Sequence, residues 1–260
     1  MRHAVTLPPL FAALSLALAG CGDAKSPAAP NAVPGAQPDA GYLVPPSVSK
    51  AEIGAEGLRI SGLAPANARV RLATPEGKAL FAEADGKGAW SLMLPAAPQA
   101  RIFGLSATAG GRLVQSEGYL LSTPEGEVAM LRAGTGAQRI GRAGKNGVDA
   151  VDFDREGGAV VSGRAPAGAA LSIHIDGRKL AEGRADAKGR YALPLTQQPL
   201  DAGRHQIDVF GDATENVVVV EATPAAPLSS GPFRTAAVAA GLRIDWMTPG
   251  GGVQSTILVK

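Results

Sequence analysis

The chain has 260 residues, among them 34 glycines, 20 prolines and one cysteine, and its formal net charge is +2. A single cysteine excludes an intramolecular disulfide and a metal site built from several thiolates. The balanced charge gives no electrostatic reason to expect a nucleic-acid partner. The length suffices for one or two domains, and the many glycines and prolines favour short strands joined by turns.

The N-terminus has the pattern of a secretory signal. A basic start at Arg2 precedes an apolar run from about Leu7 to Ala19, which is shorter than the ~20 residues of a membrane-spanning helix. The run ends in Leu18-Ala19-Gly20-Cys21, which resembles the bacterial lipobox. The resemblance implies cleavage before Cys21 and acylation of its thiol and new amine, so residues 1–21 form a lipoprotein signal. An ordinary secretory signal with a chance cysteine is the alternative.

The residues after the cysteine predict a location and a tether. Gly22, not Asp, follows Cys21; by resemblance to sorted lipoproteins this implies a periplasm-facing anchor in the outer membrane, with the inner membrane as the alternative. Several acyl chains would hold the protein in the bilayer more firmly than one. Residues 22–47 contain six prolines among small and polar residues. We therefore predict a disordered tether.

An internal repeat organises the rest of the chain. Residues 60–66 match residues 161–167, and residues 85–92 match residues 186–193. Both matches have the same offset of 101 residues, which two chance similarities would have no reason to share. A period of about 100 residues indicates duplicated domains rather than solenoid repeats.

Each copy of the repeat has the pattern of seven strands. Ile173 and Ile175 alternate with Ser172 and His174, which is the period of a half-buried strand. In the first copy we predict strands near 48–53, 58–63, 68–74, 79–84, 89–94, 101–108 and 112–121. In the second copy we predict them near 148–154, 158–164, 169–176, 179–185, 190–195, 204–210 and 216–222.

Equivalent turns precede an aromatic residue in both copies. Asp85 and Asp186 can accept hydrogen bonds from backbone N–H groups two residues on, and the glycine three residues on can adopt a positive φ. Trp90 and Tyr191 follow these turns. We predict that both pack in domain cores, with a ligand-stacking surface as the alternative.

Seven strands per copy, without an inter-sheet cysteine pair, predict two immunoglobulin-like β-sandwiches held by apolar packing, over 48–125 and 147–223. Residues 148–154, 161–169 and 186–191 resemble the Ig-like domains of proteobacterial envelope proteins, some of which carry a peptidoglycan-binding LysM module. No LysM module is recognisable in this sequence. The resemblance implies an all-β fold and an envelope compartment and does not specify an activity.

Residues 126–146 join the two copies. They begin with a candidate strand at 128–131 and continue through glycines interspersed with basic residues, namely Arg132, Arg139, Arg142 and Lys145. We predict a flexible Gly/Arg-rich connector. The four basic residues are the candidate contact surface for an anionic lipid or glycan, although a solvated linker is the favoured interpretation.

Residues 224–260 predict a C-terminal β-hairpin. Residues 242–246 and 253–259 have strand patterns and flank a glycine-rich loop. Because a lone hairpin is only marginally stable, we expect it to pack on a domain edge of the same chain. An edge strand offered to a partner chain is the alternative.

The histidines and the one glycine-rich loop give weak candidates for chemistry. We expect His174 to face solvent, His205 begins a strand, and no Gly-x-Ser-x-Gly motif supports a Ser-His-Asp triad. Residues 141–146 lack the glycine spacing and the Ser or Thr of a phosphate-binding loop. No nucleotide is therefore expected.

An acidic cluster is the best metal candidate. It comprises Asp149, Asp152, Asp154 and Glu156. Because Asp152 and Asp154 alternate with apolar residues, we predict a solvated strand face, with calcium binding as the alternative. We assign no metal site.

Together these patterns predict a non-enzymatic envelope lipoprotein with tandem Ig-like domains, acting as a structural or protein-interaction module. The expected partners are the lipid bilayer, through acylated Cys21, and an unknown envelope protein or glycan. No cofactor, nucleotide or nucleic acid is expected. The alternative function is peptidoglycan or polysaccharide binding, and an enzyme ranks third.

Overall fold

The computed structural model describes residues 41–141, 146–212 and 214–260. All nineteen strands of these residues lie in the compact unit Leu43–Lys260. Nowhere in the described part of the chain is there a helix of sufficient length and apolarity to span a membrane. The predicted signal, residues 1–21, and the tether as far as residue 40 lie outside the described residues.

The first sandwich is built from nine strands. They are β1 (Ser47–Gly54), β2 (Gly57–Leu63), β3 (Arg69–Ala73), β4 (Ala79–Glu83), β5 (Ala89–Leu94), β6 (Arg101–Ala109), β7 (Arg112–Ser122), β8 (Val128–Leu131) and β9 (Gln138–Ile140). A three-stranded sheet of order β1-β2-β5 packs on a six-stranded sheet of order β4-β3-β6-β7-β8-β9. Their facing side chains, such as Ile60, Leu72 and Leu105, form one apolar core.

The second sandwich has ten strands. They are β10 (Gly147–Asp154), β11 (Ala159–Arg164), β12 (Ala170–Ile175), β13 (Arg178–Arg184), β14 (Arg190–Pro194), β15 (Gly203–Gly211), β16 (Thr214–Ala222), β17 (Phe233–Val238), β18 (Gly241–Met247) and β19 (Val253–Val259). A four-stranded sheet, β13-β12-β15-β16, packs on a six-stranded sheet, β14-β11-β10-β19-β18-β17. A second apolar core, which includes Val161, Ile173 and Ile207, lies between them.

The predicted fold class is confirmed. Each of the fourteen predicted strands is present, and the two copies form tandem immunoglobulin-like β-sandwiches. Trp90 is 3% exposed and Tyr191 is 4% exposed, each in the core of its own sandwich. The alternative role of these rings, an exposed stacking surface, is therefore wrong.

The expectation of a flexible connector over residues 126–146 is wrong for residues 128–140, and residues 142–145 lie outside the described residues. Val128–Leu131 pairs with β7, and Gln138–Ile140 pairs in turn with β8, so both extend the six-stranded sheet of the first sandwich. All four residues of β8 are buried. An apolar strand that is paired on both sides and buried on both faces is held in place, and this outweighs the flexibility that the surrounding glycines suggest.

The C-terminal hairpin is present and packs on its own chain. In β18 and β19, Leu242 lies opposite Leu258 and Trp246 opposite Gln254. β19 also pairs with β10, which places the hairpin inside the sheet of the second sandwich. The sequence analysis missed β17, which pairs with β18 at the edge of that sheet.

The repeated turns have the predicted chemistry. Asp85 Oδ1 accepts hydrogen bonds from the N–H groups of Lys87 at 2.8 Å and Ala89 at 2.9 Å. Asp186 Oδ1 accepts the equivalent bonds from Lys188 at 2.7 Å and Arg190 at 2.9 Å. The aspartate recurs in the repeat because this turn needs a side-chain acceptor for two backbone N–H groups, and both copies use it in the same way.

A β-bulge explains a second feature that the two copies share, the glycine of their Ser-Gly pair. The register shifts between Val48 and Lys50 in β1 and at the equivalent position in β10. A Cβ atom on Gly62 would lie 1.8 Å from the Ser47 carbonyl oxygen, and one on Gly163 would lie 2.0 Å from that of Gly147. Only glycine permits this close approach of two strands.

We predict that Gly163→Ala lowers the free energy of unfolding by about 1–3 kcal/mol, because the added methyl group must displace backbone. Gly104→Ala is the matched control, since a Cβ atom at this strand position meets no atom within 4 Å. Urea denaturation of both variants measures the difference. Equal stability of the two variants would contradict the role assigned to the bulge.

Candidate functional site

The two sandwiches meet through a third apolar core. It lies between their six-stranded sheets and consists of Ile102, Leu121, Ala129, Leu131, Ala137, Ala150, Ile244, Trp246 and Leu258. The Trp246 side chain is fully buried, and its ring meets Tyr119 edge to face with centroids 5.9 Å apart. Since burial of apolar surface contributes about 25 cal/mol per Å², this contact holds the two sandwiches together. We call it the junction.

A buried carboxylate connects the two sides of the junction. Asp152, on β10 of the second sandwich, is 2% exposed. Its Oδ2 accepts a 2.7 Å hydrogen bond from the backbone N–H of Ala137, in the segment between β8 and β9. Its Oδ1 accepts hydrogen bonds from Gln254 at 3.1 Å and from the Thr256 hydroxyl. The carboxylate therefore bonds to both sandwiches at once.

Burial dominates the titration of this group. It raises the pKa of Asp152 to about 6, although the hydrogen bonds from Thr256, Ala137 and Gln254 favour the charged form and oppose the rise. Thr256 Oγ1 itself accepts a 3.1 Å hydrogen bond from the Trp246 indole. The indole thus links the apolar part of the junction to its polar part.

Further hydrogen bonds cross the junction. The Ser162 hydroxyl donates to the Ala137 carbonyl at 2.8 Å, and the Gly134 N–H donates to Gln254 Oε1 at 3.2 Å. Arg139 is 8% exposed, donates to the Val259 carbonyl and lies 3.0 Å from Glu127. The expectation that Arg139 belongs to an exposed contact surface is therefore wrong, because β9 places it inside the junction.

A second acidic network fastens the C-terminal strands. Asp245 accepts hydrogen bonds from Ser255 at 2.7 Å, Arg243 at 2.8 Å and Arg234 at 2.8 Å. Burial alone would raise the pKa of Asp245, but these hydrogen bonds hold it below its usual value. The network joins β17, β18 and β19 to one another.

A basic cleft opens beside the junction. Its volume is about 570 Å³, and two carboxylates, Asp149 and Asp186, line it together with six basic side chains, namely Arg132, Arg139, Arg164, Arg184, Lys188 and Arg190. Arg132 and Arg139 come from the first sandwich, and the other four come from the second. The cleft therefore exists only where the two sandwiches are docked.

The charges of the cleft are only partly compensated. Arg164 Nε lies 3.0 Å from Asp149 Oδ2, and Arg132 donates to the carbonyls of Gly136 at 2.9 Å and Thr135 at 3.2 Å. Burial, and then the positive charges of Arg164 and Arg132, lower the pKa of Arg190. The arrangement concentrates positive charge at a half-buried position.

The other predicted contact residues are distributed as follows. Arg132 lies in the basic cleft, whereas we predicted from the sequence that it would lie on a flexible connector. Arg142 and Lys145 lie outside the described residues. Cys21 and the lipobox residues Leu18, Ala19 and Gly20 do so as well.

The histidines do not build a triad with the described residues. His205 Nδ1 lies 2.7 Å from Asp176, and its Nε2 lies 2.9 Å from the Asp201 carbonyl. Burial would lower the pKa of His205, but these hydrogen bonds raise it overall. His174 is half-buried, 3.3 Å from the Ser172 hydroxyl and edge to face with Phe210. Both His205 nitrogens are occupied without a serine.

The acidic residues that we considered as a metal site do not act together, and three of them have different partners in the structure. Asp149 pairs with Arg164, Asp154 accepts a 2.8 Å hydrogen bond from the Gly158 N–H, and Asp152 lies in the junction. Within the described residues no group of three or more potential metal ligands is present. The prediction of a solvated strand face is wrong for Asp152, because the first sandwich covers that face of β10.

The junction could have been anticipated from strands that are apolar on both faces. Leu120 and Leu121 are neighbours on β7, and both are fully buried, one in the first core and the other in the junction. The four-residue apolar run of β8 and residues 257–259 of β19 give the same signal. A strand of this kind requires cover on both faces of its sheet.

A scan of protein-family models and a search of curated proteins give no match. Among solved structures, the chain is similar to the BSP domain of a biofilm associated protein, with 18% identity and a TM-score of 0.25, over 71% of this chain and 30% of that one. It is also similar to the central fibronectin-III array of RIM-binding protein, with 12% identity and a TM-score of 0.27. This similarity covers 82% of this chain and 89% of that one.

The chain thus spans less than a third of the length of the first of these structures. At these identities the likeness concerns the fold alone. The fold assignment itself rests on the strand order and the cores of the two sandwiches.

We predict that Asp152 makes stability pH-dependent. Because its folded-state pKa of about 6 exceeds its ordinary value of 3.8, the native state binds the proton more tightly than the unfolded state. The stabilisation of the folded state by protonated Asp152 is fully present below the ordinary pKa of 3.8 and is lost as the pH rises through about 6. The free energy of unfolding should fall by about 3 kcal/mol over this interval, as urea denaturation across pH can measure.

Asp152→Asn should flatten this pH dependence, because the amide does not titrate, and its nitrogen would face a donor on either side, the Ala137 N–H or the Thr256 hydroxyl. Glu52→Gln is the matched control: Glu52 lies at the equivalent position of β1, where it is exposed and paired with Lys50 at 2.7 Å. An unchanged pH profile in Asp152→Asn would contradict the assignment.

Proposed function

We propose that the chain is a membrane-anchored cell-envelope lipoprotein whose two docked sandwiches act as a non-enzymatic spacer and protein-interaction module. The observation that carries the proposal is the junction: a buried core between the two six-stranded sheets, crossed by hydrogen bonds. Two sandwiches joined in this way present their surfaces at fixed positions. A spacer or scaffold needs this property, whereas freely linked domains lack it.

The anchor belongs to the same proposal. The lipobox ending at Cys21 supports acylation of this residue, and Gly22 after it supports the outer membrane. The first strand of the periplasm-facing sandwiches begins at Ser47, beyond a proline-rich segment. Such a segment would extend at most about 3.3–3.6 Å per residue. This reach would allow the sandwiches to meet an envelope partner away from the lipid surface.

A second candidate function is binding of peptidoglycan or another polysaccharide. The basic cleft favours it, because bacterial envelope glycans carry acidic groups that cationic side chains bind. Both functions are compatible with the same anchor. They differ in whether the partner is a protein or a glycan.

We predict that Cys21→Ser abolishes membrane anchoring, since the serine hydroxyl cannot form the thioether of a lipoprotein. Phase separation in a temperature-sensitive non-ionic detergent should move the protein from the detergent phase to the aqueous phase or leave it unprocessed. Ser26→Ala, in the adjacent segment, is a control that should partition as the original chain does. Retention of Cys21→Ser in the detergent phase as a processed protein would defeat the lipoprotein proposal.

The glycan alternative is tested by sedimentation with purified sacculi. If it holds, the Cys21→Ser chain should pellet with sacculi at low salt, and less of it should pellet as salt screens the charges. Recovery of all protein in the supernatant at low salt would exclude peptidoglycan as the partner. In that case crosslinking in cells would be directed at proteins.

A further inference from the structure

We propose that the basic cleft at the junction is a binding site for an oxyanion, a phosphate or carboxylate group, with Arg132, Arg164 and Arg190 as its contacting cations. This deepens the second candidate function, on which the glycan source of the ligand rests, and adds a free small anion as a further ligand of the same cleft. The excess of basic side chains, the geometry and the lack of an exposed aromatic ring in the cleft each support the proposal.

The charge balance leaves a guanidinium uncompensated. Asp149 is engaged by Arg164 at 3.0 Å, and Asp186 Oδ1 accepts the backbone N–H groups of Lys188 and Arg190. Within the described residues the Arg190 guanidinium makes no hydrogen bond or ion pair with a carboxylate. Burial and the charges of Arg164 and Arg132 lower its pKa, and the charges of Asp186 and Asp149 only partly offset them. Two carboxylates face six basic side chains in the cleft, and such an excess of positive charge is unfavourable unless a further anion neutralises it.

The geometry suits a bound anion. The cleft measures about 570 Å³, within the ordinary range of about 300–1,000 Å³ for small-molecule sites. Arg132, Arg164 and Arg190 are each half-buried, so part of their hydration is already lost. A planar guanidinium binds phosphate or carboxylate through two parallel N–H···O bonds, and such bonds are stronger where water is partly excluded.

The position of the cleft also favours a ligand site. Arg132 follows β8 of the first sandwich, whereas Arg164 and Arg190 lie on β11 and β14 of the second. Arg164 and Arg190 are directly opposite each other in the sheet, where like charges are destabilising. A bound anion would bridge the two sandwiches and strengthen the junction.

The lining restricts the chemistry of the ligand. Its one aromatic residue, Tyr191, is 4% exposed, and its hydroxyl donates to the Gly147 carbonyl at 2.8 Å. A nucleobase therefore finds no ring on which to stack. Recognition must come from charge, and the same oxyanion chemistry has two sources: a free small molecule or an acidic group on a glycan.

Isothermal titration of the full chain, purified in a non-ionic detergent at low ionic strength, tests the proposal. Inorganic pyrophosphate and citrate represent the free anions, and polygalacturonate represents a glycan with acidic groups. Binding of either small anion alone indicates a free ligand, and binding of polygalacturonate alone indicates a glycan. Either result supports the site, and affinity should fall as salt increases.

Arg190→Gln should weaken the binding at least about tenfold, since it removes one bidentate contact. Its melting temperature without ligand should be unchanged or higher, because the substitution removes a repelling charge. Lys188→Gln, at an exposed position of the cleft, should weaken binding by a smaller factor and cannot disturb a core. Arg71→Gln, an exposed arginine of β3 in the first sandwich, should bind as the original chain does.

Failure of the original chain to bind pyrophosphate, citrate and polygalacturonate at low ionic strength would overturn the proposal. Equal affinities of the original chain and Arg190→Gln would also overturn it. A lower melting temperature of Arg190→Gln without ligand, together with unchanged binding by Lys188→Gln, would show that these cations serve the fold alone. None of these results bears on the anchor at Cys21.

Discussion

The packing of one six-stranded sheet on the other is the contact on which the rest of this structure depends. Trp246, Leu131 and Leu258 are buried there between two sandwiches that each already have a core of their own. The contact converts a tandem pair into one compact unit. It also creates the basic cleft, because Arg132 reaches Arg164 and Arg190 only across it.

The junction also explains why two copies of one domain differ. Strands β1 and β10 share their bulge and their pairing with the following strand. Glu52 on β1 is nevertheless a solvated surface residue, whereas Asp152 on β10 is buried and bonded to the other sandwich. Each sandwich gains its extra strands at a different place, β8 and β9 beside β7, and β17 to β19 beside β10. The duplicated unit was thus adapted through its additions.

Periodicity and the repeat were sufficient to predict the strands of both copies, the Asp-initiated turns, and the burial of Trp90 and Tyr191. These features depend on local patterns, since alternation and turn chemistry act within a few residues. The junction depends on which outer faces meet. A strand that is apolar on both faces, such as β8, indicates that its sheet is covered on both sides, but it does not identify the surface that covers it. Asp152 therefore resembled a solvated residue, and Arg139 resembled part of a flexible linker.

The candidate site was predictable only in part for the same reason. Basic residues near the domain boundary suggested an anionic partner, and Arg132 does line the cleft. Its partners Arg164 and Arg190 lie on β11 and β14, far from Arg132 in sequence. Their proximity follows from docking of the sandwiches. A sequence pattern confined to the connector could not identify them.

Calorimetric unfolding tests the central claim, that the junction makes the two sandwiches a single cooperative unit. We expect one transition for the full chain, with a calorimetric enthalpy equal to the van't Hoff enthalpy. Trp246→Ala, which removes the largest side chain of the junction, should separate this single unfolding transition into two transitions. Two independent transitions in the original chain, each with the enthalpy of one sandwich, would contradict the account.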